Sequence, residues 1–268
     1  MNTLSNGEFF GQTNKILHLG GLTITDTEYT HSYVDWHYHE NAYFTFLLQG
    51  NVIETNKKET YECSAGTLLY HHWEDPHYNI KPDGFTRGFH IEVSKDWFEQ
   101  YQVSKDRIEG SFNLKNPSLQ LLVYQIFKET KINDQASDLS VQQLLLDIFS
   151  QLSARHIHRL EKKPVWVNRI DELLHENFTE KLNLTDLSQI LDIHPIHLSR
   201  DFQKYFHCNM GEYIRKLKIR KSLTLLHKAE SLSDIALECG FSDQSHFIRC
   251  FKNNTGLTPL KYKKILQR

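Results

Sequence analysis

The stretch IHLSRDFQKYF, residues 196–206, shares a pattern of residues with a later stretch, SHFIRCFKNN, residues 245–254. A histidine, an arginine and a phenylalanine recur at a constant offset of 49 positions: His197 and His246, Arg200 and Arg249, Phe202 and Phe251. A pattern shared by two such distant segments indicates one local structure that the chain uses twice.

Both segments have the apolar spacing of an amphipathic helix. At about 100° per residue, the apolar residues share one face of each helix: Leu198 with Phe202, and Phe247 with Phe251. The opposite faces are largely polar: Ile196, Arg200 and Gln203 in the first helix, Ser245, Arg249 and Lys252 in the second. An arginine in such a position can meet a guanine edge with two donors or clamp a phosphate. The alternative is that both arginines are ordinary solvated residues.

A short predicted helix precedes each segment, LTDLSQIL in the first case and LSDIALEC in the second. Asn183 with Asp186, and Ser231 with Asp234, have the spacing of an N-cap residue and the third helical residue. This spacing marks the start of a helix, because each side chain can satisfy a free backbone amide of the other.

A tight turn separates the two helices of each unit, at Asp192 in the first and at Gly240 in the second. Glycine adopts a left-handed backbone at little cost, and aspartate is among the few other residues that tolerate it. Helix, short turn, helix is the plan in which the second helix enters the major groove of DNA. The sequence therefore predicts two helix-turn-helix units, at about 183–206 and 231–253.

Between the units runs GEYIRKLKIRKSLTLLHK, which predicts a helix of about 18 residues and roughly 27 Å. Such a helix could hold the two reading helices about one turn of DNA apart, roughly 34 Å. Its basic residues suit phosphates, although a solvated face is the simpler alternative for any one of them: Arg215, Lys216, Lys218, Arg220 and Lys221. Lys218 is the predicted phosphate contact.

Residues 165–266 resemble the AraC/XylS family of bacterial transcription regulators. The resemblance rests on LSDIALECGFSDQSHFIRCFKNNTGLTPLKYKK, with its Gly-Phe-Ser turn and its Gly-Leu-Thr-Pro followed by a tyrosine. The first unit departs from the family pattern, because Asp192 replaces a turn glycine and Ser222 stands where alanine is common. The resemblance implies base-facing residues in both units: Ile196, Ser199 and Arg200, then Gln244, Ser245 and Arg249. Gln203 and Lys252 complete the predicted DNA-facing set.

The front half has a different character. YFTFLLQG, VIET, GTLLYHH and GFTRGFHIEV are rich in aromatic and β-branched residues and are separated by turn residues. Many short strands with close turns are typical of a sandwich or a small barrel. Residues 117–131 and 138–160 instead carry apolar residues at three- and four-residue steps, which predicts two helices.

WHYHENAYFTFLLQG, residues 36–50, is similar to the first cupin motif, and Gly66 followed by EDPHYNI, residues 74–80, is similar to the second. Residues 33–93 thus resemble the cupin-like barrel in which members of this family often bind a small effector. His37 and His39 are two apart on a predicted strand, so both point to one face, and His77 is the natural third partner. Three neutral imidazoles would suit zinc, iron or another divalent metal. Metal-binding cupins have a glutamate soon after the second histidine, where this chain has Tyr43 or Phe44. The alternative, which this departure favours, is an effector pocket lined by the three histidines and Tyr43.

Arg87 is assigned to the same effector pocket. It alternates with Phe85, Phe89 and Ile91 and therefore lies on an otherwise apolar face of a predicted strand. A buried arginine needs an anionic partner. That partner is an acidic effector or, as the favoured alternative, a carboxylate of the protein itself.

The helix at 138–160 carries an apolar stripe that could form a dimer seam: Val141, Leu145, Ile148 and Leu152. The alternative is that the stripe packs on its own domain. After this helix, EKKPVW predicts a linker, because proline disfavours helix in the residue before it. We therefore predict an effector-binding and dimerisation domain at 1–160 and a DNA-binding domain at 161–268.

Charge and composition agree with this division. The chain has 268 residues, of which 39% are hydrophobic and 24% charged. Residues 161–268 hold 18 Lys and Arg against 13 Asp and Glu, whereas residues 1–160 have a balance of −7, which favours a polyanionic partner for the second domain only. No apolar run approaches the roughly 20 residues of a membrane span. The start lacks the features of a signal peptide, so we expect a cytoplasmic location.

The predicted fold class is α+β multidomain: an N-terminal cupin-like β-barrel with helical dimerisation elements, then an all-α domain with two helix-turn-helix units. The predicted function is transcription regulation and not catalysis. A homodimer would bind a double-stranded DNA operator and a small-molecule effector, with RNA polymerase as a further candidate partner and no membrane contact. Two alternatives stay open: a metal-dependent cupin enzyme with a DNA-binding tail, and an architectural DNA binder with a non-sensing barrel.

Overall fold

The computed structural model describes residues 2–104, 108, 110–160, 164–227 and 230–266. Contacts within the chain divide it into two compact units, Met1–His156 and Ile157–Arg268. The charged half of the predicted linker, residues 161–163, lies outside the described residues. None of the helices in the described ranges is long and apolar enough to cross a membrane.

The first unit contains two β-sheets that enclose a common interior. In spatial order, the six-stranded sheet consists of β11 (Phe112–Asn113), β8 (Leu68–His71), β5 (Ala42–Gln49), β10 (Arg87–Val93), β3 (Leu22–Glu28) and β2 (Gln12–Leu19). The five-stranded sheet consists of β1 (Asn2–Leu4), β4 (Tyr33–His39), β9 (His77–Ile80), β6 (Asn51–Asn56) and β7 (Thr60–Ser64). Strands β1 and β4 run parallel, and the other described pairs are antiparallel.

Strand β5, with the sequence AYFTFLLQ, shows why these residues form a covered sheet. Successive side chains of a strand point to opposite faces. Phe44 and Phe46 contact aromatic rings of the helical layer, whereas Tyr43 and Thr45 line the interior between the sheets. Because both faces are covered, every residue of β5 except Gln49 is buried, and the strand shows no alternation of apolar and polar residues.

Three helices of the first unit form this layer: α1 (Lys95–Gln100), α2 (Pro117–Ile132) and α3 (Ser137–Leu160). Phe89 of β10 meets Phe127 of α2 with ring centroids 5.1 Å apart. A buried hydrogen bond of 2.6 Å from Trp97 Nε1 to Gln142 Oε1 joins α1 to α3. The two predicted long helices of the front half are therefore present, and they close one side of the six-stranded sheet.

The predicted dimer seam on α3 is wrong. Its four residues are buried within the first unit, with exposed fractions of at most 5%: Val141, Leu145, Ile148 and Leu152. Their neighbour Phe149 packs on Phe44 of the sheet, with 5.5 Å between ring centroids, and on Trp97 of α1, at 5.3 Å. The sheet needs an apolar cover and α3 supplies it, so the stripe belongs to the core of one chain. The homodimer itself stays a prediction.

The described residues of the second unit form helices joined by short turns: α4 (Val165–Asn177), α5 (Leu184–Leu191), α6 (Pro195–Phe206), α7 (Met210–Leu225), α8 (Leu232–Glu238), α9 (Gln244–Thr255) and α10 (Pro259–Leu266). Helices α5 and α6 form the first helix-turn-helix unit, and α8 and α9 form the second. Helix α7 joins them and has 16 residues, hence a length of about 24 Å, slightly less than the sequence predicted.

The predicted apolar faces of α6 and α9 lie in the interior of the second unit. Leu198 and Phe202 are fully buried, and so are Phe247 and Phe251. Phe251 also meets Tyr262 of α10, with ring centroids 5.6 Å apart. Burial on one side fixes which residues of each helix remain on the surface.

The capping and turn predictions for both helix-turn-helix units are confirmed. The side chain of Asn183 accepts a hydrogen bond from the Asp186 amide at 2.9 Å, and that of Ser231 accepts one from the Asp234 amide at 3.2 Å. Gly240 has φ +74°, and a Cβ there would lie 2.2 Å from the carbonyl oxygen of Thr179, so that turn requires glycine.

The first helix-turn-helix unit makes the equivalent turn without glycine. Asp192 has φ 53° and is exposed, so its side chain meets no such obstacle.

Candidate functional site

The outer face of α6 carries the residues that the sequence assigned to DNA. Ile196 is 69% exposed, and the other three predicted residues of this helix are exposed as well: Ser199, Arg200 and Gln203. Arg200 Nε lies 3.0 Å from Asp201 Oδ1, and Arg200 Nη2 lies 3.2 Å from Nδ1 of His197. The guanidinium therefore lies along its own helix, and its side chain is 68% exposed.

The outer face of α9 has the same arrangement, with all four predicted residues exposed: Gln244, Ser245, Arg249 and Lys252. Gln244 Oε1 accepts a hydrogen bond from the Ser233 hydroxyl of α8 at 2.9 Å, which fixes its position across the turn. Asp243 caps the helix by accepting from the His246 amide at 2.7 Å, and this bond lowers the pKa of the Asp243 carboxyl. The first turn of α9 is thus well ordered on the side where its polar residues begin.

Lys218, the predicted phosphate contact on α7, has partners within the protein. Its Nζ donates a hydrogen bond to the carbonyl oxygen of Gly240, and it lies 5.7 Å from the centroid of the Phe241 ring. Burial lowers the pKa of this half-buried lysine. The last carbonyl groups of a helix have no partner within the helix and need a donor. Lys218 donates to the carbonyl of Gly240 just after α8 and so stabilises the turn of the second helix-turn-helix unit. The ammonium group has two further donors, so the phosphate contact of Lys218 stays a prediction.

A cavity lies between the two sheets of the first unit. Its lining is aromatic and polar: Phe9, Phe10, Tyr29, His31, Val34, His37, His39, Tyr43, Thr45, Val52, Glu54, His77, Asn79, Lys81 and His90. The space open to the centres of water molecules is about 30 Å³. Since one water needs about 10–15 Å³ on this measure, the cavity holds only a few waters as it stands.

The three histidines that the sequence grouped together do converge. His37 and His39 lie on β4, and His77 lies on the neighbouring β9, directly opposite His37 in the strand register. One ring nitrogen from each lies within 4.8 Å of those of the other two, and all three side chains are buried. Burial lowers the pKa of each imidazole, to about 3 for His77, so all three are neutral at neutral pH.

A second buried group adjoins the first and was not foreseen. Glu54 of β6 and His71 of β8 lie 3.5 Å apart, and together with His77 they form another set whose ligand atoms are mutually within 4.8 Å. Burial raises the pKa of Glu54 to about 8 and lowers that of His71 well below its usual value. Val52 and Glu54 are two residues apart on β6 and therefore share its buried face. A glutamate on the same face as a valine was the sequence feature that could have indicated this group.

The amino-terminal segment also enters the cavity. The ring of Phe9 stacks on His90 with 3.8 Å between centroids, and Phe10 meets His37 at 5.0 Å. His90 is fully buried, its ring nitrogens lie 3.2 Å from the hydroxyls of Thr45 and Tyr29, and burial lowers its pKa to about 3. Sequence reasoning missed Phe9 and Phe10, because a short polar segment around them carries no periodicity.

Arg87 does not line the cavity. It points to the helical side of β10, where Nε and Nη2 each donate a 2.6 Å hydrogen bond to the carboxylate of Asp26. Lys131 of α2 donates to the same carboxylate at 2.8 Å, and these bonds lower the pKa of Asp26 despite its burial. The effector-pocket assignment is wrong for Arg87, and the alternative of an internal carboxylate is what the structure contains.

Comparison with known proteins agrees with this geometry. A model of the AraC-like ligand binding domain matches residues 18–163, and a model of a helix-turn-helix domain matches residues 187–265. Together with the barrel and the paired units, these matches define a helix-turn-helix regulator with a ligand-binding domain. The chain belongs to the AraC family.

Three similar proteins illustrate the range of relatives. The bifunctional transcriptional activator/DNA repair enzyme AdaA of Bacillus subtilis is 34% identical over 108 residues, or 39% of this chain and 51% of AdaA. The Msm operon regulatory protein of Streptococcus mutans is 25% identical over 140 residues, covering 52% of this chain and 50% of that protein. A solved structure of ToxT from Vibrio cholerae shares 14% identity over 92% of this chain and 99% of ToxT, with a TM-score of 0.38. The chain spans about half the length of the first two relatives.

Proposed function

We propose that this chain is a sequence-specific DNA-binding transcription regulator whose barrel senses a small molecule. Helices α6 and α9 would each enter a major groove, with α7 setting their separation. The observation that carries the proposal is the repeated pair of faces. Each helix is anchored by two fully buried apolar residues and exposes an arginine on the opposite side, at Arg200 and Arg249.

The exposed faces have the chemistry of base readout. Arginine can donate two hydrogen bonds to a guanine, and glutamine can pair in the same way with an adenine. Ile196 is an exposed apolar side chain that could contact a thymine methyl group. A solvated helix face has no reason to repeat this pattern at a constant offset, whereas two reading helices in one chain do.

The barrel is the proposed sensor. Its cavity has room for only a few waters, so an organic effector would enter by displacing Phe9 and Phe10 from positions against His90 and His37. Such a ligand shifts DNA binding by no more than the difference in its affinity for the two states of the regulator. Movement of the amino-terminal segment is the structural difference that we assign to those two states.

We infer that the chain acts as a regulator and not as an enzyme, as its relatives are named chiefly for transcription regulation. A homodimer, contact with RNA polymerase and a cytoplasmic location remain predictions that follow from this role. In this proposal the residues exposed on α6 and α9 read the bases, and Lys218 is not among them. The effector contacts the cavity residues His37, His39, Tyr43 and His77.

The test is selection of bound sequences from randomised double-stranded DNA by the full-length protein. We expect a motif with two conserved segments whose centres are about 10 base pairs apart, one helical turn of DNA. Binding to the selected motif should exceed binding to scrambled DNA by at least ~1000-fold at physiological salt. Enrichment of bent or A/T-rich DNA without a two-part motif would instead identify an architectural binder, and the proposal would be wrong.

A further inference from the structure

We propose that the barrel binds one divalent transition-metal ion through the imidazoles of His37, His39 and His77. The three side chains are 2–3% exposed, and their nearest ligand nitrogens all lie within 4.8 Å of one another. Three neutral imidazoles around one point form a common coordination set for zinc and related ions. This inference concerns binding by the barrel alone and is independent of how α6 and α9 read DNA.

The hydrogen bonds of His37 and His77 fix which nitrogen of each ring lacks a proton, and in His77 that nitrogen accepts a hydrogen bond from the Tyr43 hydroxyl at 3.0 Å. His37 Nδ1 lies 2.8 Å from the carbonyl oxygen of Asp35, and His77 Nδ1 lies 3.2 Å from that of Asp75. A carbonyl oxygen can only accept, so Nδ1 carries the proton in both rings and Nε2 keeps its lone pair. Metal-binding histidines are held in the same way by an outer partner on the second nitrogen, which orients the ring towards the ion.

His39 supplies the observation that points to a ligand. Its Nδ1 is buried, and among the described residues it has no hydrogen-bond partner. A buried polar atom left without a partner costs about 1–3 kcal/mol, so such atoms call for a specific explanation. A metal ion bound to this ring gives the unpartnered nitrogen a role that no neighbouring side chain provides.

The cavity beside these rings has room for a small ion without any rearrangement. Its space for water centres, about 30 Å³, accommodates an ion with one or two waters while Phe9 and Phe10 stay in place. Catalytic zinc sites with three protein ligands leave a fourth position to water. The ion would thus need no movement of the amino-terminal segment, in contrast to the proposed organic effector.

The neighbouring set of Glu54, His71 and His77 shares one feature with the first set, because Nε2 of His71 is also buried without a hydrogen-bond partner among the described residues. The fixed protons therefore decide between the two sets, and they make the second set the less suitable one. His77 belongs to both sets, so one ion occupies one set or the other. In this second set only His77 has its proton fixed by a backbone carbonyl, and His71 Nδ1 faces Glu54 Oε1 at 3.5 Å. The Glu54–His71 pair is therefore assigned to the wall behind the metal site and not to its ligands.

The experiment is titration of metal-free full-length protein with Co²⁺, whose visible absorption reports its coordination geometry. We expect one Co²⁺ per chain, d–d bands typical of tetrahedral or five-coordinate nitrogen ligation, and loss of those bands when Zn²⁺ is added. His39→Ala should weaken binding by more than the ~10–100-fold that removal of an outer partner costs. His90→Gln, which changes a buried histidine of the same cavity outside the set, should leave the affinity within about threefold.

Two further variants separate the sets and keep the result decisive. Glu54→Gln and His71→Ala should each retain one Co²⁺ with unchanged bands. If these two variants lose the metal while His39→Ala keeps it, the ion occupies the other set and the proposal is wrong. If His39→Ala fails to fold, as judged by circular dichroism, His37→Gln replaces it as the test variant. Wild-type protein that binds no Co²⁺ or Zn²⁺ at micromolar concentrations also overturns the proposal, whatever its affinity for DNA.

Discussion

Tyr43 on β5 donates a hydrogen bond to Nε2 of His77 on β9, with 3.0 Å between the two atoms. The bond joins the six-stranded sheet to the five-stranded one across the barrel interior. His77 Nδ1 already donates to the carbonyl oxygen of Asp75, so Nε2 is the acceptor of the tyrosine proton. The same lone pair would bind the proposed metal, and the hydroxyl and the ion therefore compete for it.

Tyr43→Phe tests this competition. A neutral hydrogen bond contributes about 0.5–1.5 kcal/mol, and the metal would no longer have to displace it, so affinity for Zn²⁺ should rise about 2–10-fold. The metal-free variant should lose a similar amount of stability, because Nε2 of His77 is left buried without a donor. Calorimetric titration measures the first effect and urea denaturation the second.

Tyr38→Phe is the matched control, since Tyr38 lies on β4 but is absent from the cavity lining. It should change neither quantity. An affinity for Zn²⁺ that falls in Tyr43→Phe would show that the tyrosine supports the ion and does not compete with it.

Local patterns of the sequence were enough for the reading helices. Period and capping placed α6 and α9 and the faces that carry Arg200 and Arg249, because those features depend on residues three or four positions apart. They also placed His37 and His39 on one face of a strand. All of these features are determined by residues that lie close together in the sequence.

Contacts between distant segments explain what the sequence did not reveal. Glu54 lies on β6 of the five-stranded sheet and His71 on β8 of the six-stranded sheet, so they meet only because the two sheets face each other. Asp26 reaches Arg87 from 61 positions away. Lys218 meets the carbonyl of Gly240 because α7 packs beside the second turn. The stripe of α3 was equally ambiguous: an apolar helix face fits a sheet as well as a second chain, and its period is the same in both cases.

Leu145→Ala should destabilise the first unit and leave its oligomeric state unchanged. Leu145 of α3 is fully buried within the first unit, so its truncation should lower the free energy of unfolding by about 2–5 kcal/mol. Leu139→Ala on the same helix is the control, because Leu139 is 75% exposed and its change should cost less than about 0.5 kcal/mol. Urea denaturation measures stability, and sedimentation velocity measures assembly. Dissociation of a folded dimer by Leu145→Ala would restore the predicted seam.

Acid should destabilise the barrel through its buried histidines. Burial lowers the pKa of His90 to about 3, whereas the unfolded chain titrates near 6.5, so the unfolded state binds one more proton between these values. Stability should therefore fall as pH decreases below about 6.5, by about 1.4 kcal/mol per pH unit for this residue. His90→Gln keeps a donor and an acceptor for Tyr29 and Thr45 but removes that proton.

The comparison is made between pH 6 and pH 4.5, by denaturation of wild-type protein and the variant. The free energy of unfolding should fall less steeply with decreasing pH in the variant, because its unfolding takes up about one proton fewer. His31→Gln is the control, because His31 is exposed at the edge of the cavity and its substitution should leave the slope unchanged. Identical slopes for wild type and His90→Gln would mean that His90 titrates in the folded barrel as it does in water.

The two arginines should specify different base pairs. If each contacts a base edge in its own groove, Arg249→Ala should cost about 1–3 kcal/mol of specific binding and relax the preference at one or two base pairs. Arg200→Ala should act about 10 base pairs away, one helical turn along the DNA. We expect the larger loss at Arg249, because Arg200 must first release its contacts with Asp201 and His197.

Lys181→Ala controls for the loss of one positive charge, since Lys181 is exposed outside both reading helices. It should weaken binding to all sequences by a similar, small factor and reduce the dependence on salt, because phosphate contacts carry no direct sequence information. Binding of each variant to a randomised operator library gives the preference at every position. Uniform loss of affinity in both arginine variants, with every base preference unchanged, would mean that Arg200 and Arg249 hold the phosphate backbone and that other residues read the bases.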